Sequence, residues 1–255
     1  MGAARAALHF LGHSTALVDI DGTRILTDPL LVSGLGPIRR RPHATHDGLQ
    51  GITPDAVVIS HAHHDHLHLP SLRRLVGRPP LIVPAGLGRL VARDGHDVTE
   101  ISPGERLRVG GLTIEATQAL HHPGRGPLGP AAIAIGFRIA GSTRVYFAGD
   151  TDLFPGMRDL AGSVDVALLP VWGWGPTIGA GHLDPLRAAQ AVTCIRPRLA
   201  VPIHWGTFYP LGLARFCPRP LERPPLDFAE EVARIAPATD VRVLAPGDRI
   251  ELSAS

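Results

Sequence analysis

Short apolar runs broken by Gly, Pro, Asp and Ser recur along most of this chain. Runs at 7–10, 16–20 and 24–27 predict strands, and Asp21-Gly22 between the last two is a hairpin turn signal. The apolar run at 56–59 predicts a buried strand, and Pro70 opens a helix through Val76. A strand at 81–83, a helix around 86–93 and strands at 98–101, 106–109 and 112–118 follow. The segment 133–139 alternates with small residues and pairs with 143–147 across Gly141-Ser142. Beyond it come a short helix at 153–160 and a buried strand at 164–169. The next helix, 184–195, has Asp184 as cap and Pro185 at its first position. A strand at 199–203, a helix at 226–236 and a last strand at 241–244 complete the pattern. Two runs of strands, each followed by helices, predict an α/β fold. No repeat or linker interrupts it, so residues 1–255 read as one domain.

Two stretches break the pattern. Residues 33–54 hold Gly, Pro and the run Arg39-Arg40-Arg41, and read as a long loop. It is either a solvated basic loop or a rim that attracts an anionic substrate. Residues 208–225 are proline-rich and irregular, a second rim.

Composition narrows the chemistry. At 255 residues and 44% hydrophobic, the chain can bury a substantial core. A net charge of +2 argues against a nucleic-acid partner. Every basic residue apart from histidine is Arg, which excludes a catalytic lysine. Two cysteines, Cys194 and Cys217, are too few for a disulfide framework. No signal-peptide core or membrane-length apolar run is present, so the expectation is a cytoplasmic protein without stable membrane insertion. Oligomeric state is left open.

The stretch His61-Ala62-His63-His64-Asp65-His66 follows the strand at 56–59. In an extended segment His61 and His63 point the same way and can face one metal. A turn after them brings Asp65 and His66 to a second. Imidazole and carboxylate without thiolate suit zinc, and also manganese or iron. Asp28, at a strand end before Pro29, can orient a ligand histidine. His13 reads as a structural hydrogen-bonding histidine or as a neighbour of the metals.

This motif resembles that of the metallo-β-lactamase superfamily, and further stretches match in order: Thr27-Asp28-Pro29, His121 in Leu120-His121-His122-Pro123-Gly124-Arg125, Asp150 in Ala148-Gly149-Asp150-Thr151, and His204 in Pro202-Ile203-His204-Trp205-Gly206. The resemblance implies a four-layer αβ/βα sandwich and a hydrolase holding two divalent metal ions. It implies His61, His63 and His121 on the first metal, Asp65, His66 and His204 on the second, and Asp150 bridging. The residues alone do not choose between His121 and His122; the family's spacing to Gly124 and Arg125 favours His121. No cysteine ligand is present. His63 stands where flavodiiron proteins have Glu, and 150–204 leaves no space for the inserted domain of the nucleases. Leu11-Gly12-His13-Ser14-Thr15, His182-Leu183-Asp184-Pro185 and Ile203-His204-Trp205-Gly206-Thr207-Phe208 are similar to the N-acyl phosphatidylethanolamine phospholipase D group and to ascorbate-6-phosphate lactonases.

Charge arithmetic gives a substrate class. Two divalent ions, less Asp65, Asp150 and a bridging hydroxide, leave about one positive charge, which favours a small anionic substrate. Phosphodiester hydrolysis is the leading expectation, with lactone or carboxylic-ester hydrolysis, or a non-enzymatic sensor, as alternatives. Asp65 and His182 are the catalytic candidates: Asp65 orients the nucleophile, and His182 contacts a phosphate oxygen or protonates a leaving group. Arg125 is the candidate for pairing with phosphate oxygens, and Trp172 and Trp174 are candidate pocket walls.

Overall fold

Strand pairing and side-chain alternation sort this chain into layers. The computed structural model describes residues 6–41, 53–122 and 132–252. The N-terminal half runs through β1 (Ala6–Gly12), β2 (Thr15–Ile20), β3 (Thr23–Thr27), a hairpin of β4 (Gly34–Leu35) and β5 (Ile38–Arg40), then β6 (Ala56–Val58). Helix α1 (Leu69–Leu72), β7 (Leu81–Pro84), α2 (Gly88–Ala92) and β8 (Val98–Ile101) follow. The C-terminal half runs β9 (Arg106–Val109), β10 (Leu112–Gln118), β11 (Ile135–Ala140), β12 (Arg144–Phe147), β13 (Val166–Pro170), α3 (Pro185–Ile195), β14 (Leu199–Ile203), β15 (Phe208–Pro210), α4 (Arg219–Ile235), β16 (Asp240–Val241) and β17 (Arg249–Leu252).

One seven-stranded sheet has the order β17-β1-β2-β3-β6-β7-β8, the other β16-β14-β13-β12-β11-β10-β9. Their inner faces meet in a core that includes Leu8, Phe10 and Val18 from the first and Ile114, Phe137, Phe147 and Val201 from the second. Alternation sends neighbouring residues outward. Leu17 and Val57 pack with Leu72 and Val91, beneath α1 and α2. Tyr146 and Leu169 pack with Val192, Phe228 and Val232, beneath α3 and α4. The result is the expected αβ/βα sandwich, helices outside and sheets inside. Among the described residues no helix is long and apolar enough to cross a membrane.

The structure corrects several element assignments. The stretch expected as a loop from 33 onward contains β4 and β5, which pair with β15 in a small third sheet; 42–52 lie outside the described residues. The irregular reading of 208–225 also fails: Phe208–Pro210 is a strand, and α4 starts at Arg219 rather than 226. Pro224 and Pro225 lie inside that helix, yet Leu221, Pro224, Pro225, Phe228 and Val232 form its buried stripe, so packing overrides propensity. The segment 153–160 is a 3₁₀ turn, Pro155–Leu160. Strand β17 was not expected; it carries only Ile250 and Leu252 as apolar signal and gains its register from β1.

Candidate metal centre

Strand direction brings the candidate ligands to one edge. β3 and β6 are parallel, as are β12, β13 and β14, so their C-terminal ends share a rim. Asp28 follows β3, His61 follows β6, Asp150 follows β12 and His204 follows β14. β10 runs antiparallel to β11, which runs antiparallel to β12, so the end leading to His121 reaches the same rim. The two sheets are tied there by Ile135 N–H donating to Ser60 O at 3.0 Å. Gly149 is required: its φ is +61°, and a Cβ would lie 2.5 Å from Ser60 Cβ.

Within the His61–His66 stretch, Leu67 N–H donates to His63 O at 2.8 Å, a tight turn that swings Asp65 and His66 inward. Asp150 Oδ2 is central, 3.2 Å from His66 Nε2, 3.3 Å from His204 Nε2, 3.5 Å from His182 Nε2 and 3.9 Å from His61 Nε2. Asp65 Oδ2 lies 3.5 Å from His204 Nε2 and 3.6 Å from His66 Nε2. His121 Nε2 lies 3.1 Å from His63 Nδ1, while His122 is exposed; the inward histidine is His121. Ligand atoms about 2.0–2.1 Å from a tetrahedral metal lie about 3.3–3.4 Å apart, the middle of these spacings.

The outer hydrogen bonds fix where the lone pairs point. His204 Nδ1–H donates to the Trp172 carbonyl at 2.8 Å, and His121 Nδ1–H to the Gly181 carbonyl at 2.7 Å. His66 Nδ1–H donates to Asp28 Oδ2 at 2.6 Å. Ser60 Oγ–H donates to Asp28 Oδ2 at 2.5 Å and so accepts from His61 Nδ1–H at 2.9 Å. Each ring therefore turns a bare Nε2 inward. The Nε2 atoms of His66 and His204 face each other at 3.1 Å, which repels unless a cation, proton or metal, sits between them. Within this cluster two buried polar atoms, His61 Nε2 and Asp150 Oδ1, have no hydrogen-bond partner. A buried polar atom left unpaired is costly, and a metal satisfies both. The residues present thus fit a divalent cation bound by nitrogen and carboxylate oxygen.

The electrostatics agree. Burial pushes His13 down to about 3 and His121 to about 4, and holds His61 well below the usual imidazole range, so these rings are neutral, which for His61 and His121 is the form that can bind a metal. Burial opposes charge on His66 as well, but the carboxylates of Asp150, Asp65 and Asp28 win and hold its proton well above the ordinary range. Burial would raise Asp65 and Asp150; the surrounding imidazoles overcome it and keep both well below the usual carboxylate range. Without metal, the His66 proton supplies the positive charge these acids demand.

His13 belongs to this cluster more closely than its sequence context indicates. Its Nε2 lies 2.9 Å from Asp65 Oδ2, its ring is 4.0 Å from that of His204, and it is buried. Its backbone N–H donates to Thr207 Oγ1 at 2.7 Å and its carbonyl accepts from His204 N–H at 2.8 Å. The sequence shows only a Gly12-His13-Ser14-Thr15 loop; the structure makes it a left-handed turn, with φ of +98° at Gly12 and +56° at His13.

Among the other expected residues, His182 stands beside Asp150 at the cavity wall, its Nδ1–H donating to the Gly179 carbonyl at 3.2 Å. A cavity of about 560 Å³ opens over the cluster, lined by His63, His64, Asp65, Asp150, residues 173–179, His182 and His204. Trp174 lines it; Trp172 does not, its ring lining a separate groove beside Asp184 and Cys217. Arg125 lies outside the described residues. The run Arg39-Arg40-Arg41 is spent on the fold rather than on a rim. Arg40 reaches back to the carbonyls of Val32, Leu11 and Leu30, Arg39 to Gly36 and Ile38, and Arg41 to Gly206 and Glu222.

Comparison with known proteins places this geometry. The sequence model described as "Beta-lactamase superfamily domain" matches residues 23–205. A UPF0173 metal-dependent hydrolase of Thermofilum pendens is 32% identical over 96% of this chain and 99% of its own. The N-acyl-phosphatidylethanolamine-hydrolyzing phospholipase D 1 of Caenorhabditis elegans is 31% identical over 84% of this chain and 67% of its own. Among solved structures, Igni18, a metallo hydrolase of the archaeon Ignicoccus hospitalis, is 26% identical with a TM-score of 0.75, covering 98% of this chain and 100% of that one.

Proposed function

Because the chain belongs to the metallo-β-lactamase superfamily of metal-dependent hydrolases, we propose that it cleaves a small organic phosphodiester at a centre of two divalent ions, zinc foremost. The observation that carries this reading is the inward ring of bare imidazole nitrogens around Asp150 Oδ2, which asks for more than one cation. His61, His63 and His121 would hold one ion, Asp65, His66 and His204 the other, and Asp150 both. Bound there, such ions supply Lewis acidity and lower the pKa of water. The chain's own residues do the rest. Asp28 and the carbonyls of Trp172 and Gly181 fix the ring orientations, and His13 fixes Asp65. His182, at the cavity wall with its Nε2 3.5 Å from Asp150 Oδ2, would hold a proton toward a substrate oxygen. All of this sits in one domain.

A second reading has its own observation in support. Among the described residues no Arg lines the cavity, so an anion would find only the metals and imidazoles such as His64 and His182, and an uncharged lactone or carboxylic ester suits such a wall. A panel of a chromogenic phosphodiester, a phosphomonoester, a lactone and a β-lactam, run on metal-replete protein, separates the two. Turnover of the diester above the others supports the proposal. Turnover confined to the lactone replaces it with the second reading.

A further inference from the structure

A second cavity of about 400 Å³ adjoins the first and shares His64, Asp65 and Trp174 with it. Its remaining lining is Leu35, Gly36, Pro37, Ile38 and His68. Trp174, 43% exposed, thus stands as a ridge between two spaces that both end at Asp65.

The two walls differ in construction. The Leu35–Ile38 wall is the turn of the β4–β5 hairpin, clamped from behind. β5 pairs with β15, the Arg40 guanidinium packs 4.6 Å from the Phe208 ring centre, and Arg40 also donates to the Val32 carbonyl at 3.0 Å. Ile38, Leu30 and Phe208 form a small buried cluster beneath. This wall is therefore preformed. The opposite wall carries Trp174 on a stretch holding Gly173, Gly175, Gly179 and Gly181.

Chemistry decides the occupant. Away from Asp65, the second cavity offers the aliphatic and aromatic surface of the Leu35–Ile38 turn and Trp174 and the rings of His64 and His68, the His68 Nδ1 facing Ser71 Oγ at 2.8 Å. No Arg, Glu or further Asp lines it. A charged group placed against the Leu35–Ile38 turn and Trp174 would lose hydration without a charged partner there, whereas an alkyl or aryl group would gain by leaving water.

We propose that the second cavity, between the Leu35–Ile38 turn and Trp174, is a subsite for an uncharged apolar arm of the substrate, so that the scissile group lies at Asp65 with one arm on each side of Trp174. This rests on the hydrolase reading of the same site but not on the phosphodiester choice.

The test uses metal-replete protein and a series of methyl-, butyl- and octylphosphonate, with binding measured by calorimetry. Each methylene buried in full is worth up to about fourfold in affinity, and a half-buried one about twofold, so octyl- should bind roughly 100-fold tighter than methylphosphonate. In Leu35→Asp, and independently in the exposed-side variant Trp174→Ala, that ratio should fall below about tenfold. Equal affinity across the series in the wild-type protein, or a ratio unchanged in both variants, overturns the subsite. Because the probe is bound and not turned over, the result stands whichever substrate the parallel hydrolysis panel selects. A lost phosphodiesterase reading and a lost subsite are therefore told apart.

Discussion

Replacing His13 by Asn tests how the cluster holds Asp65. His13 sits at φ +56°, where Asn is tolerated and most other residues are strained, so Asn leaves the turn and its backbone bonds to Thr207 and His204 in place. Its side chain is too short to reach Asp65 Oδ2, which His13 Nε2 meets at 2.9 Å. A hydrogen bond to a charged group contributes roughly 1.5–3 kcal/mol, or about 10–150-fold in a binding constant. The ring contacts of His13 run to His66, His204 and Phe208 and not to His61, His63 or His121. The loss should therefore fall on one of the two binding steps. Competition titration with a chromophoric zinc chelator reads both: one step should weaken about tenfold or more, the other change by less than about threefold. A thermal melt of the metal-free variant separates this from lost packing. If both steps keep their wild-type affinity, His13 is a packing residue and the positioning argument is wrong; if both weaken equally, the effect is global.

Other consequences follow from the same geometry. Asp65→Asn and His66→Ala should each cost several orders of magnitude in turnover at matched metal content, since single electrostatic contributions in active sites reach roughly 10²–10³; near-normal turnover in fully metallated Asp65→Asn would remove Asp65 from the site. Asp28→Asn should weaken metal binding about 10–100-fold, because Asp28 accepts from His66 Nδ1 and fixes its tautomer; a chelator titration reads it, and unchanged affinity would deny the carboxylate that role. Removing both ions should lower the melting temperature by about 11–22 °C when metal stands at 100 times each dissociation constant, a stabilisation of about 2.7 kcal/mol per site; an unchanged melt after verified chelation would mean the ions do not bind the folded cluster.

The sequence exposed the cluster because each candidate ligand directly follows an apolar strand: His61 after β6, Asp150 after β12, His204 after β14. Parallel strands ending on one edge do the remaining assembly, while the resemblance to the superfamily's motifs picked out the later ligands and favoured His121 over His122. What stayed hidden depends on contacts between distant segments. β17 takes its place only because β1 offers an open edge. The hairpin at Gly34–Arg40 exists through pairing with β15, about two-thirds of the chain away, and the same pairing turns Arg40 from a rim charge into an internal clamp. The prolines of α4 read as irregular until α3 and the sheet supply the packing that holds them helical. His13 is a local case: Gly12-His13-Ser14-Thr15 reads as a loop, but only the fold shows its left-handed turn and which carboxylate its ring meets.

The central claim is a two-ion centre built from His61, His63, Asp65, His66, His121, Asp150 and His204. The most direct test is elemental analysis of protein depleted of metal, repleted with zinc and freed of excess, for the wild-type chain and for His204→Ala. Close to two zinc ions per chain are expected for the wild type and close to one for the variant. A firm limit of one ion per wild-type chain, with all seven side chains intact, would contradict that claim.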